Sequence, residues 1–274
     1  MTLRIDGTLW LVGAGNMGLA LLSGWLAGGL PPRQIAVQEP SPSPEAKALA
    51  ARHGISLQAQ LAADTPPPAV LVVAVKPQVM DDVFPQLASR VPAQTLVLSI
   101  AAGRAIGGFE RHLPAKTPVV RAMPNMAVSV GRGITVCVSN AHVSAAQRAA
   151  CDGLMGAVGE VAWVDDENLL DAVTAVSGSG PAYVFYLAEC LAEAGVKAGL
   201  PGALAQKLAS CTVAGAGELL HRAREDAATL RQRVTSAGGT THAALQVLMS
   251  DKGLAPLMRE AVAAATRRSR ELAK

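Results

Sequence analysis

The sequence predicts a doubly wound α/β domain followed by an all-α domain. Three observations predict this fold class. Short apolar runs alternate with helical patterns up to residue 164, a glycine-rich turn follows the first run, and no convincing strand follows residue 164. We therefore expect one domain over residues 1–164 and a second, helical domain over residues 165–274 of the chain.

Seven apolar runs form the predicted sheet. Continuous runs rich in β-branched residues, with helices between them, are typical of strands buried on both faces of a largely parallel sheet. The runs lie at 8–13, 35–39, 69–75, 95–100, 118–123, 133–138 and 160–164.

The predicted helices after residue 164 are apolar on more than one face. They also carry closely spaced small residues, among them Gly215 and Gly217. An apolar surface of this kind needs to be covered. We therefore expect the helical domain to be a dimerisation domain of a homodimer.

Composition excludes several classes of protein. Hydrophobic residues make up 50%, and the net charge of +3 includes no basic block, so nucleic acid is not an expected partner. Residues 8–32 are uncharged, but their six glycines and final Pro-Pro indicate a strand, turn and helix rather than a membrane span. There is no signal-peptide pattern.

The four cysteines have no paired spacing, which favours buried free thiols, and no metal site is expected. We expect a cytoplasmic protein.

The glycine-rich turn reads GAGNMG and matches G-x-G-x-x-G between a predicted strand and a predicted helix. Gly13 allows the tight turn, Gly15 lets backbone amides approach a pyrophosphate, and Gly18 lets helix and strand pack closely. The helix start supplies free N–H groups to phosphates. The first domain is thus a predicted Rossmann-type dinucleotide-binding domain. The expected cofactor-binding residues of the turn are Gly13, Gly15, Asn16, Met17 and Gly18.

Glu39 ends the second predicted strand, 21 residues after Gly18. A carboxylate there normally accepts hydrogen bonds from the adenosine ribose and repels a 2′-phosphate, which favours NADH. Ser41, Ser43 and nearby Arg33 could instead provide donors to a phosphate. Glu39 could also be an exposed loop carboxylate, so the choice of cofactor stays open.

Two further strand ends are expected to face the cofactor, because ligands in this fold bind at the carboxyl ends of the strands. Lys76 could alternatively be a solvated loop lysine. The expected cofactor-binding residues are Ala74, Val75, Lys76 and Pro77 after one strand, and Met123, Pro124 and Asn125 after another.

Two glycine-rich breaks interrupt the helical half. They read DAVTAVSGSGPAY at 171–183 and VTSAGGTTHAAL at 234–245. Together with the nucleotide-binding motif, AVKPQ and MPN, they resemble the motifs of the pyrroline-5-carboxylate reductase family over essentially the whole chain. The resemblance implies reduction of 1-pyrroline-5-carboxylate to L-proline, the last step of proline biosynthesis, with NADPH as the usual hydride donor.

The resemblance also implies site residues and assembly. The substrate would lie between the nucleotide domain of one subunit and the helical domain of its mate. Ser236 and the amides of Gly239 and Thr240 would bind its carboxylate, and the catalytic Thr241 would hydrogen-bond the ring nitrogen. Family members form homodimers that assemble into larger rings, such as decamers. Further substrate-binding residues expected from the two motifs are Gly238, Ser179 and Gly180.

Three departures from the family pattern bear on these expectations. Ala237 stands where the family pattern has a proline, and Arg233 stands where family members usually have an asparagine. Glu39 stands where many members carry residues that bind a 2′-phosphate. His242 is a second candidate acid, although an outward-facing position is favoured. The alternatives are a related imine reductase or hydroxyacid dehydrogenase, and a catalytically inactive nucleotide-sensing protein. No lysine follows SGSGPAY as far as Glu189, which favours imine over alcohol chemistry.

Overall fold

A computed structural model describes residues 3–272. All seven predicted runs contain a strand, and an additional strand, β3, was missed because it is only two residues long. The strands are β1 (Thr8–Val12), β2 (Ile35–Gln38), β3 (Leu57–Gln58), β4 (Pro68–Val73), β5 (Leu96–Ser99), β6 (Val119–Pro124), β7 (Gly133–Ser139) and β8 (Gly159–Trp163).

The α-helices lie between the strands in the first part of the chain and follow one another after β8. They are α1 (Asn16–Ala27), α2 (Pro44–His53), α3 (Met80–Ala88), α4 (Ile106–Glu110), α5 (Ala145–Gly156), α6 (Leu169–Val173), α7 (Gly180–Lys197), α8 (Gly202–Arg222), α9 (Ala227–Arg233), α10 (Thr240–Leu248) and α11 (Leu254–Leu272).

The strands form one eight-stranded sheet in the order β3-β2-β1-β4-β5-β6-β7-β8. Every pairing is parallel except β6 with β7. The order runs outward from β1 in one direction and from β4 in the other, which is the doubly wound arrangement. The predicted fold class is therefore confirmed, and the switch between β1 and β4 is where this fold binds ligands.

The central strands of the sheet are buried on both faces, as the continuous apolar runs predicted. The last strand, β8, differs because it lies at the edge of the sheet and its residues are half-buried or exposed. Along β1, Leu9 and Leu11 belong to one buried cluster, whereas Trp10 and Val12 belong to the other. Successive side chains of a strand point to opposite faces, so each face of β1 has its own core. Packing in these two cores fixes the position and direction of the end of β1, from which the glycine-rich turn begins.

The chain divides into two compact units. The first extends to Gly178 and includes the chain from Thr266 on, and the second is Ser179–Ala265. The strands end at Trp163, next to the predicted boundary at 164, but the first unit continues through α6. The division into domains at 164/165 stays a prediction.

The second unit consists of helices that leave large apolar side chains uncovered. Helices α7 and α8 pack on each other, yet of all their residues only Ala205 and Ala209 are buried. Phe185 and Val247 are each 71% exposed, and Leu219 is 68% exposed. Across residues 3–272, none of the helices has the length and apolar character needed to cross a membrane.

The SGSG stretch, which was expected to break the helix and expose a new helix start, has a different structure. Thr174–Gly178 is a π-helical turn that directly follows α6, and Ser179 keeps helical φ and ψ angles of −84° and −22°. The hydroxyls of Thr174 and Ser177 donate to the carbonyls of Leu170 and Val173, so they are not free at a helix start. Single π-helical turns within helices are frequent at functional sites.

The cysteines also differ in part from expectation. All four are free thiols, but only Cys137 and Cys151 are buried, whereas Cys190 and Cys211 are exposed. The exposed pair lies on α7 and α8, the helices with uncovered apolar faces. Cys137 and Cys151 have their sulfurs 3.9 Å apart. Contact with Cys137 and burial together raise the pKa of the Cys151 thiol.

Candidate functional site

The glycine-rich turn connects β1 to α1 in a form that requires its glycines. Gly13 has φ of +96°, and a Cβ on it would lie 2.6 Å from the Ala74 carbonyl oxygen. A Cβ on Gly18 would lie 2.1 Å from the Gly13 carbonyl oxygen. At Gly15 a Cβ would meet no atom within 4 Å. Gly13 and Gly18 are therefore required by packing, whereas Gly15 keeps space open at the start of α1.

The start of α1 has the properties of a phosphate site. Gly15 is its N-cap residue and offers no side-chain cap, and the first intrahelical bond comes from the Leu19 N–H to the Gly15 carbonyl. The N–H groups of Asn16, Met17 and Gly18 precede that bond and have no intrahelical acceptor. Together with the helix dipole, such N–H groups favour an anion.

A cavity of about 600 Å³ opens at this point, at the switch between β1 and β4. It contains many of the residues predicted to bind the cofactor, while Met17, Gly18 and Pro77 do not line it. The predicted residues that line it are Gly13, Gly15, Asn16, Glu39, Ser41, Ala74, Val75 and Lys76. Its size and Gly15's open space fit a bound dinucleotide.

Glu39 is fixed by backbone amides at the edge of this cavity. Its Oε2 accepts a hydrogen bond from the Ala14 N–H at 2.8 Å, and its Oε1 accepts one from the Ser41 N–H at 2.9 Å. Glu39 thus braces the glycine-rich turn and is not simply an exposed loop carboxylate. Arg33, which the sequence suggested as a nearby phosphate donor, lies before β2 and hence at the opposite edge of the sheet.

Sequence reasoning missed the opposite wall of the cavity. This wall includes Ala59 and Gln60 after β3, Val83 and Leu87 on one side of α3, and Arg90 just after α3. The Arg90 guanidinium donates to the Leu61 and Ala62 carbonyls at 2.8 and 2.7 Å. Its guanidinium carbon lies 4.7 Å from the centre of the Trp10 ring. The i, i+4 spacing of Val83 and Leu87 on α3 was the available signal for this wall.

The MPN segment ends β6, two strands from β4, and does not line this cavity. The Asn125 Oδ1 accepts a hydrogen bond from the Ile134 N–H at 3.3 Å. A Cβ on Gly178 would lie 2.6 Å from Cε of Met123, so the π-helical turn packs closely on this strand end. The structure thus brings one glycine of SGSG against MPN, a contact that neither motif predicted alone.

A partly buried ion pair holds the same region and was also missed. Arg121 on β6 donates to Glu167 at 2.9 Å, and their side chains are 9% and 29% exposed. The same Glu167 oxygen accepts the Ile106 N–H at 2.9 Å. Removing one partner of a buried pair leaves the other charge uncompensated. The pair therefore fixes β6, the start of α4 and the segment leading into α6.

In the second unit, the stretch SAGG forms a type II turn. The Gly239 N–H donates to the Ser236 carbonyl at 3.1 Å, Gly238 has φ of +69°, and Ala237 does not have a positive φ. A type II turn has its positive φ at the third residue and favours proline at the second. Ala237 occupies that second position, which gives a physical reason for a proline there in related proteins.

The type II turn leads directly into α10 and leaves its first amides exposed. Gly239 is the N-cap, without a side-chain cap, and the first intrahelical bond runs from the Ala243 N–H to the Gly239 carbonyl at 3.1 Å. The N–H groups of Thr240, Thr241 and His242 precede it. The start of α10 therefore forms a second anion-favouring helix start, with hydroxyls from Ser236, Thr240 and Thr241 beside it.

His242, the second candidate acid, and Arg233, a departure from the family pattern, each contact another side chain. The His242 ring lies 3.2 Å from the Gln246 amide on the exposed side of α10. Arg233 forms an ion pair with Glu225 at 2.5 Å. His242 is exposed in the single chain, and its facing away from the substrate stays a prediction. Arg233 is engaged with Glu225 near α9.

Comparison with known proteins places these features in a family. Residues 167–272 match the model for pyrroline-5-carboxylate reductase dimerisation, and residues 8–103 match that for NADP oxidoreductase, coenzyme F420-dependent. A pyrroline-5-carboxylate reductase of Pseudomonas aeruginosa is 40% identical over 96% of each chain.

Solved structures agree with this. A pyrroline-5-carboxylate reductase from Coxiella burnetii has a TM-score of 0.91 and 34% identity, covering 98% of this chain and 100% of that one. A pyrroline carboxylate reductase from Plasmodium falciparum, solved with NADP bound, has a TM-score of 0.78 and 26% identity, covering 98% and 99%.

The fold and cavity define a dinucleotide-dependent oxidoreductase with a helical second part. Within that class, the chain belongs to the pyrroline-5-carboxylate reductase family. The family resemblance drawn from SGSGPAY and GGTT is thereby confirmed.

Proposed function

We propose that the protein reduces 1-pyrroline-5-carboxylate to L-proline with NAD(P)H, the final step of proline biosynthesis. The observation that carries the proposal is the start of α10, where a glycine turn leaves three amide N–H groups next to the Thr241 hydroxyl. A small substrate with a carboxylate beside a ring nitrogen matches those two kinds of donor.

The chemistry asks for positioning more than for acid and base groups. The substrate is a cyclic imine, and protonation of its nitrogen makes C5 electrophilic. When bound, NAD(P)H would supply the hydride that C5 accepts, which would turn the C=N double bond into a C–N single bond while the nitrogen keeps its proton. The chain's own residues must therefore hold the carboxylate, orient C5 and keep water away.

The proposed substrate-binding roles belong mainly to groups at the start of α10. Ser236 Oγ and the Thr240 amide hold the carboxylate, and Gly238 gives the turn its positive φ. The Gly239 N–H, which was expected to join them, already donates to the Ser236 carbonyl and closes the turn. The Thr241 hydroxyl hydrogen-bonds the ring nitrogen and supports its proton. From the other motif, Ser179 and Gly180 complete the substrate site. The proposed cofactor site comprises the glycine turn, Glu39, Ser41 and the segments 74–77 and 123–125.

The proposed assembly follows from the exposed helices. The match to a dimerisation model supports a homo-oligomer. We assign the interface to the apolar faces of α7 and α8, with dimers that build into a larger ring such as a decamer. The proposed location is the cytoplasm.

A spectrophotometric assay tests the function. Purified protein is mixed with 1-pyrroline-5-carboxylate and either NADH or NADPH, and loss of the reduced cofactor is compared with proline formed. The amount of reduced cofactor consumed is expected to equal the amount of proline formed. No oxidation with either cofactor would overturn the proposal, and nucleotide binding without turnover would indicate a sensor. Oxidation with a 2-keto acid but not with the imine would indicate a hydroxyacid dehydrogenase.

A further inference from the structure

We propose that this chain uses NADH in preference to NADPH, and that Glu39 is the residue that sets the preference. The inference rests on the proposed function, because it concerns the reduced dinucleotide of that reaction. It goes further by assigning the discrimination to one carboxylate, and it can be tested by binding alone.

The position of Glu39 places it where the two cofactors differ. NADH and NADPH differ only in the 2′ substituent of the adenosine ribose. In this fold the pyrophosphate lies at the glycine-rich turn after the first strand, and the ribose hydroxyls lie at the carboxyl end of the second strand. Glu39 directly follows β2, lines the cavity and is hydrogen-bonded to Ala14 of the turn.

The carboxylate of Glu39 is held in place. Each of its oxygens accepts one backbone N–H, from Ala14 and from Ser41. Each oxygen has a second acceptor position, which suits the two ribose hydroxyls as donors. A fixed carboxylate cannot rotate away to make room for a phosphate without losing those two hydrogen bonds.

The charge of Glu39 is not neutralised. Of the residues that line the cavity, only Lys76 and Arg90 are cations. Lys76 follows β4, which is separated from β2 by β1, so the two strand ends are about 10 Å apart at the usual strand spacing. Both terminal nitrogens of Arg90 already donate to the Leu61 and Ala62 carbonyls.

The neighbouring helix α2 carries a second carboxylate. Ser43 caps α2 by accepting the Ala46 N–H, so its hydroxyl oxygen is already engaged. Glu45 lies in the first turn of α2. Hydrogen bonds from its own backbone N–H and from the Ser43 hydroxyl lower the pKa of Glu45, so this second carboxylate is ionised. A 2′-phosphate, with a charge between about −1.5 and −2, would meet the fixed carboxylate of Glu39 at the edge of the cavity.

Binding of nucleotide fragments tests the proposal without catalysis. Calorimetry measures the Kd of the intact protein for ADP-ribose and for 2′-phospho-ADP-ribose. The wild-type protein is expected to bind ADP-ribose about tenfold or more tightly, since a like charge at close range opposes the phosphate. Equal or tighter binding of the phosphorylated fragment would overturn the proposal.

Variants then assign the effect to Glu39. Glu39→Gln removes the charge while keeping the shape and one acceptor, and Glu39→Ser also removes the bulk. Both are expected to shift the ratio of the two Kd values by about tenfold or more toward the phosphorylated fragment. Glu160→Gln makes the same charge change on exposed β8, away from the cavity, and should leave the ratio unchanged.

Failure of this inference is distinct from failure of the proposed function. An unchanged ratio in both Glu39 variants, or the same shift in Glu160→Gln, would remove Glu39 from the role. The wild-type comparison needs no variant, so it stays decisive if a Glu39 variant does not fold. The same ratio in kcat/KM for NADH and NADPH provides the second readout. Absence of turnover with both cofactors would refute the reaction and leave the binding result intact.

Discussion

Thr241 is the side chain on which the proposed chemistry depends most directly. Thr241→Val keeps the shape but removes the hydroxyl, and kcat/KM for 1-pyrroline-5-carboxylate should fall about tenfold or more, as expected for one lost hydrogen bond to a charged group. Thr241→Ser keeps the hydroxyl and should retain most of the activity. Steady-state kinetics with the imine varied provides the measurement. Equal kcat/KM values for Thr241→Val and the parent would exclude the hydroxyl from the reaction.

At the same scale, sequence predicts local requirements better than long-range contacts. The requirement for glycine at positions 13 and 18 could be predicted, because the positive φ of Gly13 and the approach of Gly18 to the Gly13 carbonyl arise within one strand–turn–helix unit. The close approach of Gly13 to Ala74 could not, because the two residues are far apart in sequence. The position of Glu39 was also predictable from its spacing to Gly18. Its fixed orientation was not, because this depends on the Ala14 amide, 25 residues away in sequence.

Among the elements, the turn before α10 gives a test of stability. Ala237 lies at the second position of a type II turn and its φ is not positive. Ala237→Pro should restrict the unfolded chain and raise the free energy of unfolding by about 0.4–1 kcal/mol. Denaturant unfolding at fixed protein concentration measures this as a higher midpoint with an unchanged slope.

The matched control for this turn is Ala237→Gly, which gives the unfolded chain more freedom and should lower the midpoint. A lower midpoint for Ala237→Pro than for the parent would contradict the assignment of the turn.

Element prediction failed where the physical signal is weak. Strand β3 has only two residues, too few for a hydrophobic pattern. The SGSG stretch contains small residues that fit a loop, a helix start or a π-helical turn equally well, and its packing against Met123 selects the last. Long buried strands were predicted well, because burial on both faces imposes a continuous apolar run.

For the whole molecule, the exposed apolar helices predict that activity depends on assembly. Phe185→Glu places a charge on the uncovered face of α7 and should yield smaller species, measured by light scattering after size-exclusion chromatography. Imine reduction should fall, because the start of α10 is exposed to water in a single chain. ADP-ribose binding should persist, because the cavity lies wholly within the first unit.

The conservative control is Phe185→Leu, which should keep both assembly and activity. A Phe185→Glu protein with unchanged mass would contradict the assignment of this face to an interface. Full activity in a monomeric variant would instead contradict the need for assembly.

In the proposed reaction, proline forms by transfer of a hydride to C5 of a cyclic imine. The most direct measurement uses NADH with deuterium at both positions of the nicotinamide C4, followed by mass spectrometry and NMR of the product. Hydride transfer to C5 predicts L-proline with one deuterium, located at C5. Proline without deuterium at C5, or no proline at all with either cofactor, would contradict it.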